Sequence, residues 1–182
     1  MPQNIETHQA TTIIQNGGVI SYPTESVFGL GCDPLSELAV NRILQLKQRH
    51  VDKGLIIIAS NLEQLSPYIE ISVKEKQKIL NEKSAITWLV RKSEFAPHWI
   101  HGNHSKIAIR ISRHPTVISL CNEINQPIVS TSANPAGAEP AITVQQCIDY
   151  FGTAVDLYLE SSTELSKTPT QIKDIETDAI IR

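Results

Sequence analysis

Leu55-Ile56-Ile57-Ile58-Ala59 is an unbroken apolar run placed between Gly54 and Ser60. A run this short and continuous is what a strand covered on both faces requires, because the pleat turns alternate side chains to opposite sides and all of them must meet packed atoms. A central sheet strand is therefore expected here. On its N-terminal side Ser36 stands as an N-cap before Leu38, Ala39, Val40, Ile43, Leu44 and Leu46, a wide helical stripe that ends near Lys47. Earlier still, Ala10, Ile13 and Ile14 recur at helical spacing over residues 6–15 and stop at Gly17-Gly18, and Val19-Ile20-Ser21-Tyr22 reads as a strand running into Pro23.

The alternation continues on the other side. Residues 73–80 form a Lys-rich amphipathic helix, 85–90 and 106–111 are extended, 115–124 is a helix with proline in its first turn, and 127–130 is a strand. A helix over 143–151, a strand over 154–159 and a hairpin-like pair at 171–175 and 179–181 complete the pattern. Residues 161–168 are Ser/Thr-rich and read as a mobile loop. The expected architecture is an α/β sheet with helical cover.

A chain of 182 residues suits one domain, spanning residues 1–182, and can bury a core without disulfides or metals. With 41% hydrophobic and 19% charged residues it falls outside the disordered and collagen-like classes. Against 19 Asp and Glu, 16 Lys and Arg leave a formal net charge of −3, so any bound anion must be held by a local cluster. Cys32, Cys121 and Cys147 are odd in number and far apart, which argues against a disulfide framework or a zinc knuckle and for a reducing cytoplasm. Met1-Pro2-Gln3-Asn4-Ile5-Glu6 has neither a basic n-region nor an apolar h-region, and no apolar run approaches the ~20 residues that span a bilayer. A soluble, cytoplasmic protein with no membrane partner is expected.

Four stretches carry chemistry. Tyr22-Pro23-Thr24-Glu25-Ser26-Val27-Phe28-Gly29-Leu30-Gly31 leaves a strand with hydroxyls, a carboxylate and two glycines, at the kind of strand end where open α/β sheets place ligands. The Gly-x-Gly alone reads equally as a structural turn, and the chain holds no Gly-Lys-Ser/Thr phosphate loop. Lys47-Gln48-Arg49-His50-Val51-Asp52-Lys53 brings three cations to the entrance of the central strand. Lys47 and Arg49 reach a common anion only if the helix ends between or just after them, and they could instead complement its C-terminal dipole, which leaves Lys53 unexplained.

In Ile107-Ala108-Ile109-Arg110-Ile111 the isoleucines share one face, while Ala108 and Arg110 share the other and leave room for a ligand beside a cation. A solvated sheet edge is the alternative; in a pocket, Arg110 would be a partly desolvated charge waiting for phosphate. Ser130-Thr131-Ser132-Ala133-Asn134 follows the strand at 127–130 with hydroxyls and an amide suited to a phosphate or a nucleoside edge, or to a simple turn. His98, His101 and His104 lack a metal-site spacing and read as a structural or solvated loop, so no metal ligands are assigned.

Taken together, Tyr22-Pro23-Thr24-Glu25, Lys47-x-Arg49 with Lys53, the Arg110 strand, Ser130-Thr131-Ser132-Ala133-Asn134 and Pro169-Thr170-Gln171-Ile172-Lys173-Asp174 resemble the YrdC/TsaC-type L-threonylcarbamoyladenylate synthases in their short, single-domain bacterial form. The resemblance implies a YrdC-like α/β (α+β) fold, a twisted mixed sheet flanked by helices around a basic concave pocket. It implies a nucleotidyltransferase that joins ATP, L-threonine and bicarbonate into L-threonylcarbamoyladenylate and pyrophosphate, with Mg²⁺ on the ATP. The product would pass to the TsaB, TsaD and TsaE proteins for N6-threonylcarbamoyladenosine modification of tRNA.

By the same resemblance Lys47, Arg49 and Lys53 are catalytic. Tyr22, Thr24 and Lys53 face threonine and bicarbonate, while Lys47, Arg49, Arg110, Ser130, Ser132 and Asn134 bind the nucleotide. Two departures stand out. Many relatives have Pro-Gly-Pro-x-Thr where this chain reads Lys83-Ser84-Ala85-Ile86-Thr87, and the stretch before Pro169 is Ser/Thr-rich where glycines are common. An RNA-binding or ribosome-maturation role is the alternative, with at least a weak RNA contact. Three Phe, four Tyr and two Trp in an anionic chain offer little base stacking for it.

Overall fold

The computed structural model describes residues 2–161, 163–166 and 170–181. Part of the stretch read as a mobile loop (Ser162, Lys167 and Thr168) lies outside the described residues, as does Pro169 of the late motif. In chain order the elements are α1 (Pro2–Gln15), β1 (Ile20–Pro23), β2 (Phe28–Gly31), α2 (Glu37–Leu46), β3 (Ile56–Ala59), β4 (Ile69–Glu70) and α3 (Val73–Asn81). There follow β5 (Ile86–Lys92), α4 (His98–His101), β6 (Lys106–Ile111), α5 (Pro115–Ile124), β7 (Ile128–Ser132), α6 (Val144–Phe151), β8 (Leu157–Tyr158) and β9 (Gln171–Asp174). Tight 3-10 turns occupy Val51–Lys53, Glu63–Tyr68 and Gly152–Ala154.

The strands form one mixed sheet in the order β4-β5-β6-β3-β7-β2-β1-β8, with β9 beside β5. β3 runs parallel to β6 and antiparallel to β7, so the apolar run sits mid-sheet as its composition requires. Local chemistry sets the helix ends. Ser36 accepts from the Ala39 N–H at the start of α2, Thr143 and Gln146 form a capping box on α6, and Asn125 closes α5 in the left-handed region at φ 51°.

Strand alternation sorts the core into two layers. Ile57, Ile109, Val129, Phe28, Leu30 and Trp88 face α2, α4 and α6 in the larger cluster. On the other face Ile20, Tyr22, Ile58 and Ile128 pack under Ala10 and Ile14 of α1 and Val117, Leu120 and Cys121 of α5. α1 and α5 cover only part of this second face. The uncovered part is the row Leu89, Ala108, Ile56, Ser130, cross-strand partners in register on β5, β6, β3 and β7. Two small side chains in that row leave a hollow on the sheet.

Several elements differ from the sequence reading. α1 begins at Pro2, and the strand expected over 154–159 narrows to Leu157–Tyr158. β2 arises from Phe-Gly-Leu-Gly, whose glycines hide the strand pattern. The closing hairpin forms as expected, Ile181 N–H donating to the Ile172 carbonyl at 2.8 Å, and its first strand β9 additionally pairs in parallel with β5.

Candidate active site

The hollow is a cavity of about 390 Å³. Its floor is the small-residue row. Its walls are the turn after β1, the loop after α2, the start of β6 and the closing hairpin. Arg49, Lys53, Lys106 and Arg110 line it, and among the described residues no Asp or Glu does. The cavity thus favours anions. Lys106 is already neutralised by Asp174 Oδ2 at 2.7 Å and Glu176 Oε2 at 2.6 Å, which leaves Arg49, Lys53 and Arg110 as its principal cations.

Arg110 is 5% exposed. Its Nε and Nη2 donate to Thr87 Oγ1 at 2.9 and 2.7 Å, and Nη2 also donates to Thr170 Oγ1. Hydroxyls from β5 and from the segment entering β9 thus hold the expected cation in place without cancelling its charge. Glu25 lies in its field. Burial would raise the Glu25 carboxyl, but the Ser112 hydroxyl at 2.6 Å, the Arg113 N–H at 2.8 Å and the Arg110 charge outweigh burial and hold it below the usual carboxylate range.

Thr24, Ser130 and Ser132 line the cavity as expected, with Thr24 Oγ1 donating to the Val27 carbonyl at 2.7 Å across a tight turn. Arg49 reaches the cavity because α2 stops at Leu46, and its Nη2 donates to the carbonyls of Lys53 at 3.2 Å and Gly54 at 2.9 Å.

Three expected site residues do not line the cavity. Lys47 turns beneath its edge, where Nζ donates to the carbonyls of Ser132 and Asn134 (2.8 Å for the latter) and to Asn134 Oδ1 at 3.2 Å. Burial first, and then the charge of Arg49, bring Lys47 down to about 8. Asn134 serves the same turn, donating from Nδ2 to the Ala138 carbonyl at 2.7 Å and accepting the Ser132 hydroxyl at 2.6 Å. Tyr22 shares the cavity's sheet face but lies under α1 and α5, with its ring against Gly29 and Gly31 and its hydroxyl donating to the Val129 carbonyl at 3.2 Å. It is a core residue.

His98 and His101 bound the one-turn α4, His101 is buried and His104 lies in the exposed loop that follows, within the structural or solvated reading; His101 and His104 in addition line the cavity. Burial first, and then the charge of Lys92, hold His101 below the ordinary imidazole value. Thr170, Ile172 and Ile181 of the closing segment are further wall residues. The late motif marked the first two; spacing marked none of the histidines, since only the fold brings their loop to the Arg49–Lys53 turn.

Fold and cavity define an α/β protein with a cation-lined small-molecule pocket on the open half of a mixed sheet. The family model described as telomere recombination, Sua5_yciO_yrdC, matches residues 12–182, and the chain belongs to that family. It is 40% identical to a threonylcarbamoyl-AMP synthase of Cellvibrio japonicus (strain Ueda107), over 98% of this chain and 96% of that one. It is 45% identical to a threonylcarbamoyl-AMP synthase of Pseudoalteromonas atlantica over 86% of each. The solved structure of P. abyssi Sua5 complexed with L-threonine superposes at a TM-score of 0.88 and 26% identity over 94% of this chain. The chain spans 51% of that longer protein.

Proposed function

We propose that this chain is a threonylcarbamoyl-AMP synthase, which converts ATP, L-threonine and bicarbonate to L-threonylcarbamoyladenylate and pyrophosphate for the N6-threonylcarbamoyladenosine modification of tRNA. One observation carries the reading: Arg49, Lys53, Arg110, Thr24, Ser130 and Ser132, drawn from four separate motifs, converge on one cavity. Relatives that match nearly the full chain bear the synthase name.

The chemistry suits such a pocket. The neutral amine of threonine attacks the carbon of bicarbonate, a C–N bond forms and water leaves. A carbamate oxygen then attacks the α-phosphorus of ATP, and the bond to the bridging oxygen of the β-phosphate breaks to release pyrophosphate. Neither step needs a side-chain nucleophile. Both need aligned reactants and fixed positive charge over the phosphates. Arg49 and Arg110 serve the triphosphate, Lys53 and Thr24 the bicarbonate and threonine side, and Ser130 and Ser132 the nucleotide. Lys47 and Asn134 act by holding the turn that carries Ser132.

ATP arrives with Mg²⁺ as its counter-ion; among the described residues no three His, Cys, Asp or Glu side chains gather into a metal site. The labile product passes in the cytoplasm to TsaB, TsaD and TsaE. No helix among the described residues is long and apolar enough to cross a membrane. The test is pyrophosphate release with ATP, threonine or bicarbonate omitted in turn, and identification of the product made from labelled bicarbonate. Release only with all three, and label in a threonylcarbamoyl adenylate, is expected. Full turnover without bicarbonate, or salt-steep RNA binding without turnover, would overturn the reading.

A further inference from the structure

The Val51–Lys53 turn carries two cations of the cavity, Lys53 on its own side chain and Arg49 through the bonds to the Lys53 and Gly54 carbonyls. Within its own segment the turn has the Lys53 N–H to the His50 carbonyl at 3.2 Å and the Gly54 N–H to the Val51 carbonyl at 3.0 Å, beside the Arg49 bonds. The loop after α4 adds support from outside it. Gly102, at φ +58°, lies so close that a Cβ there would stand 2.8 Å from the Val51 oxygen and 2.9 Å from the Asp52 Cα. Asn103 Nδ2 donates to Asp52 Oδ1 at 2.8 Å, and His50 Nδ1 lies 2.9 Å from Asp52 Oδ2. His104 Nε2 meets the Asp52 carbonyl at 2.7 Å. A carbonyl only accepts, so Nε2 carries the proton.

We propose that His104 is a positioning residue of the synthase reaction, its Nε2–H fixing the Asp52 carbonyl so that Lys53 and Arg49 present their charge to the cavity. Asp52 is thereby the node of the turn, gripped at its carboxylate by His50 and Asn103 and at its backbone by His104. The chemical requirement at position 104 is a donor of the reach of Nε2. Glutamine meets it through its side-chain amide; alanine does not. Packing alone would demand the glycine at 102 but no donor at 104.

The proposal rests on the synthase reading, so its test carries two readouts. The first is pyrophosphate release by His104→Ala and His104→Gln, alone and in a Lys53→Ala background. His104→Ala is expected to lose about three- to tenfold in turnover, the weight of one net hydrogen bond, with His104→Gln near the parent. In the Lys53→Ala background His104→Ala should cost less than it does in the parent, since one of the two cations it positions is already gone. The second readout is amide hydrogen exchange, in which His104→Ala should speed exchange at residues 53 and 54 and leave the central strands unchanged. Parental turnover in His104→Ala, equal loss in His104→Gln, or multiplying losses in the double variant would overturn the proposal. If the parent chain releases no pyrophosphate, the synthase reading fails instead, and exchange at 53 and 54 then decides the positioning claim by itself.

Discussion

Thr87 and Arg110 stand opposite each other on β5 and β6, one register step beyond the Trp88–Ile109 pair, and a single hydroxyl accepts from both Nε and Nη2 of the arginine. This residue is the threonine left from the Pro-Gly-Pro-x-Thr pattern that the family resemblance implies. Its place in the strand interior explains how it can persist without the prolines: what it supplies is an acceptor for Arg110, and a strand delivers that acceptor as well as a turn does.

Arg110→Met should therefore cost stability as well as activity. It removes the donor from Thr87, which is fully buried, and from Thr170, which is 9% exposed. A buried hydroxyl left short of a partner costs about 1–3 kcal/mol. Thr87→Val should lower turnover by loosening the arginine, and Thr87→Ser should restore most of it. Urea midpoints and pyrophosphate release on the same preparations check this, and unchanged stability in Arg110→Met would remove the hydroxyl clamp from the account.

Lys47 and Lys53 should separate in the same pair of measurements. Lys47 is 6% exposed and bonded to oxygens of Ser132 and Asn134 in their turn, so Lys47→Met is expected to lose about 1–3 kcal/mol together with activity. Lys53 is exposed, and Lys53→Ala is expected to stay within about ±0.5 kcal/mol of the parent while turnover collapses. Equal stability losses in the two would show that the turn at Lys53 is as built-in as Lys47.

The fold was legible wherever one segment decides its own structure. β6 and α5 fall on the residues that alternation and Pro115 point to, and Ser36 caps the helix its hydroxyl suggests. Much of the cavity was legible too, since Thr24, Arg49, Lys53, Arg110, Ser130 and Ser132 all line it. What escaped are relationships across the chain. Lys47 meets Asn134 at a separation of 87 residues and His104 meets Asp52 at 52, and no spacing within either loop encodes those encounters. Tyr22 was misplaced because pleat alternation gives its sheet face but not which part of that face α1 and α5 cover.

Tyr22→Phe tests that reassignment. The phenol donates to the Val129 carbonyl and also meets the Ser130 hydroxyl, so its loss should cost about 1 kcal/mol and leave turnover close to the parental rate. Gly31→Ala should cost more, because its Cβ would stand 2.6 Å from Tyr22 Cε1 and 2.7 Å from the Val129 oxygen, and a backbone atom mid-sheet cannot give way. A loss of turnover in Tyr22→Phe at undiminished stability would return the hydroxyl to the site.

Alkaline pH should weaken the fold through its three buried thiols. Burial is the first cause at each: it lifts Cys147 to about 11 and Cys121 to about 12, and it raises Cys32 as well, from an ordinary value of 9.0. An acid whose folded value is raised keeps its proton in the native state while the unfolded chain loses it. Stability is then whole below pH 9 and falls as pH rises from there towards the folded values, by at most about 1.4 kcal/mol per pH unit for each thiol. Lys47 opposes this. Its value is depressed to about 8, so the cost of charging it in the folded state is relieved as pH climbs through that point towards its ordinary 10.5. One lysine against three thiols leaves the balance downward. Urea midpoints should hold or rise slightly between about pH 7 and pH 9 and fall beyond, and Cys147→Ala, though less stable overall, should fall less steeply. A midpoint that keeps rising past pH 10 would mean that the thiols ionise as easily in the folded protein as in the unfolded chain.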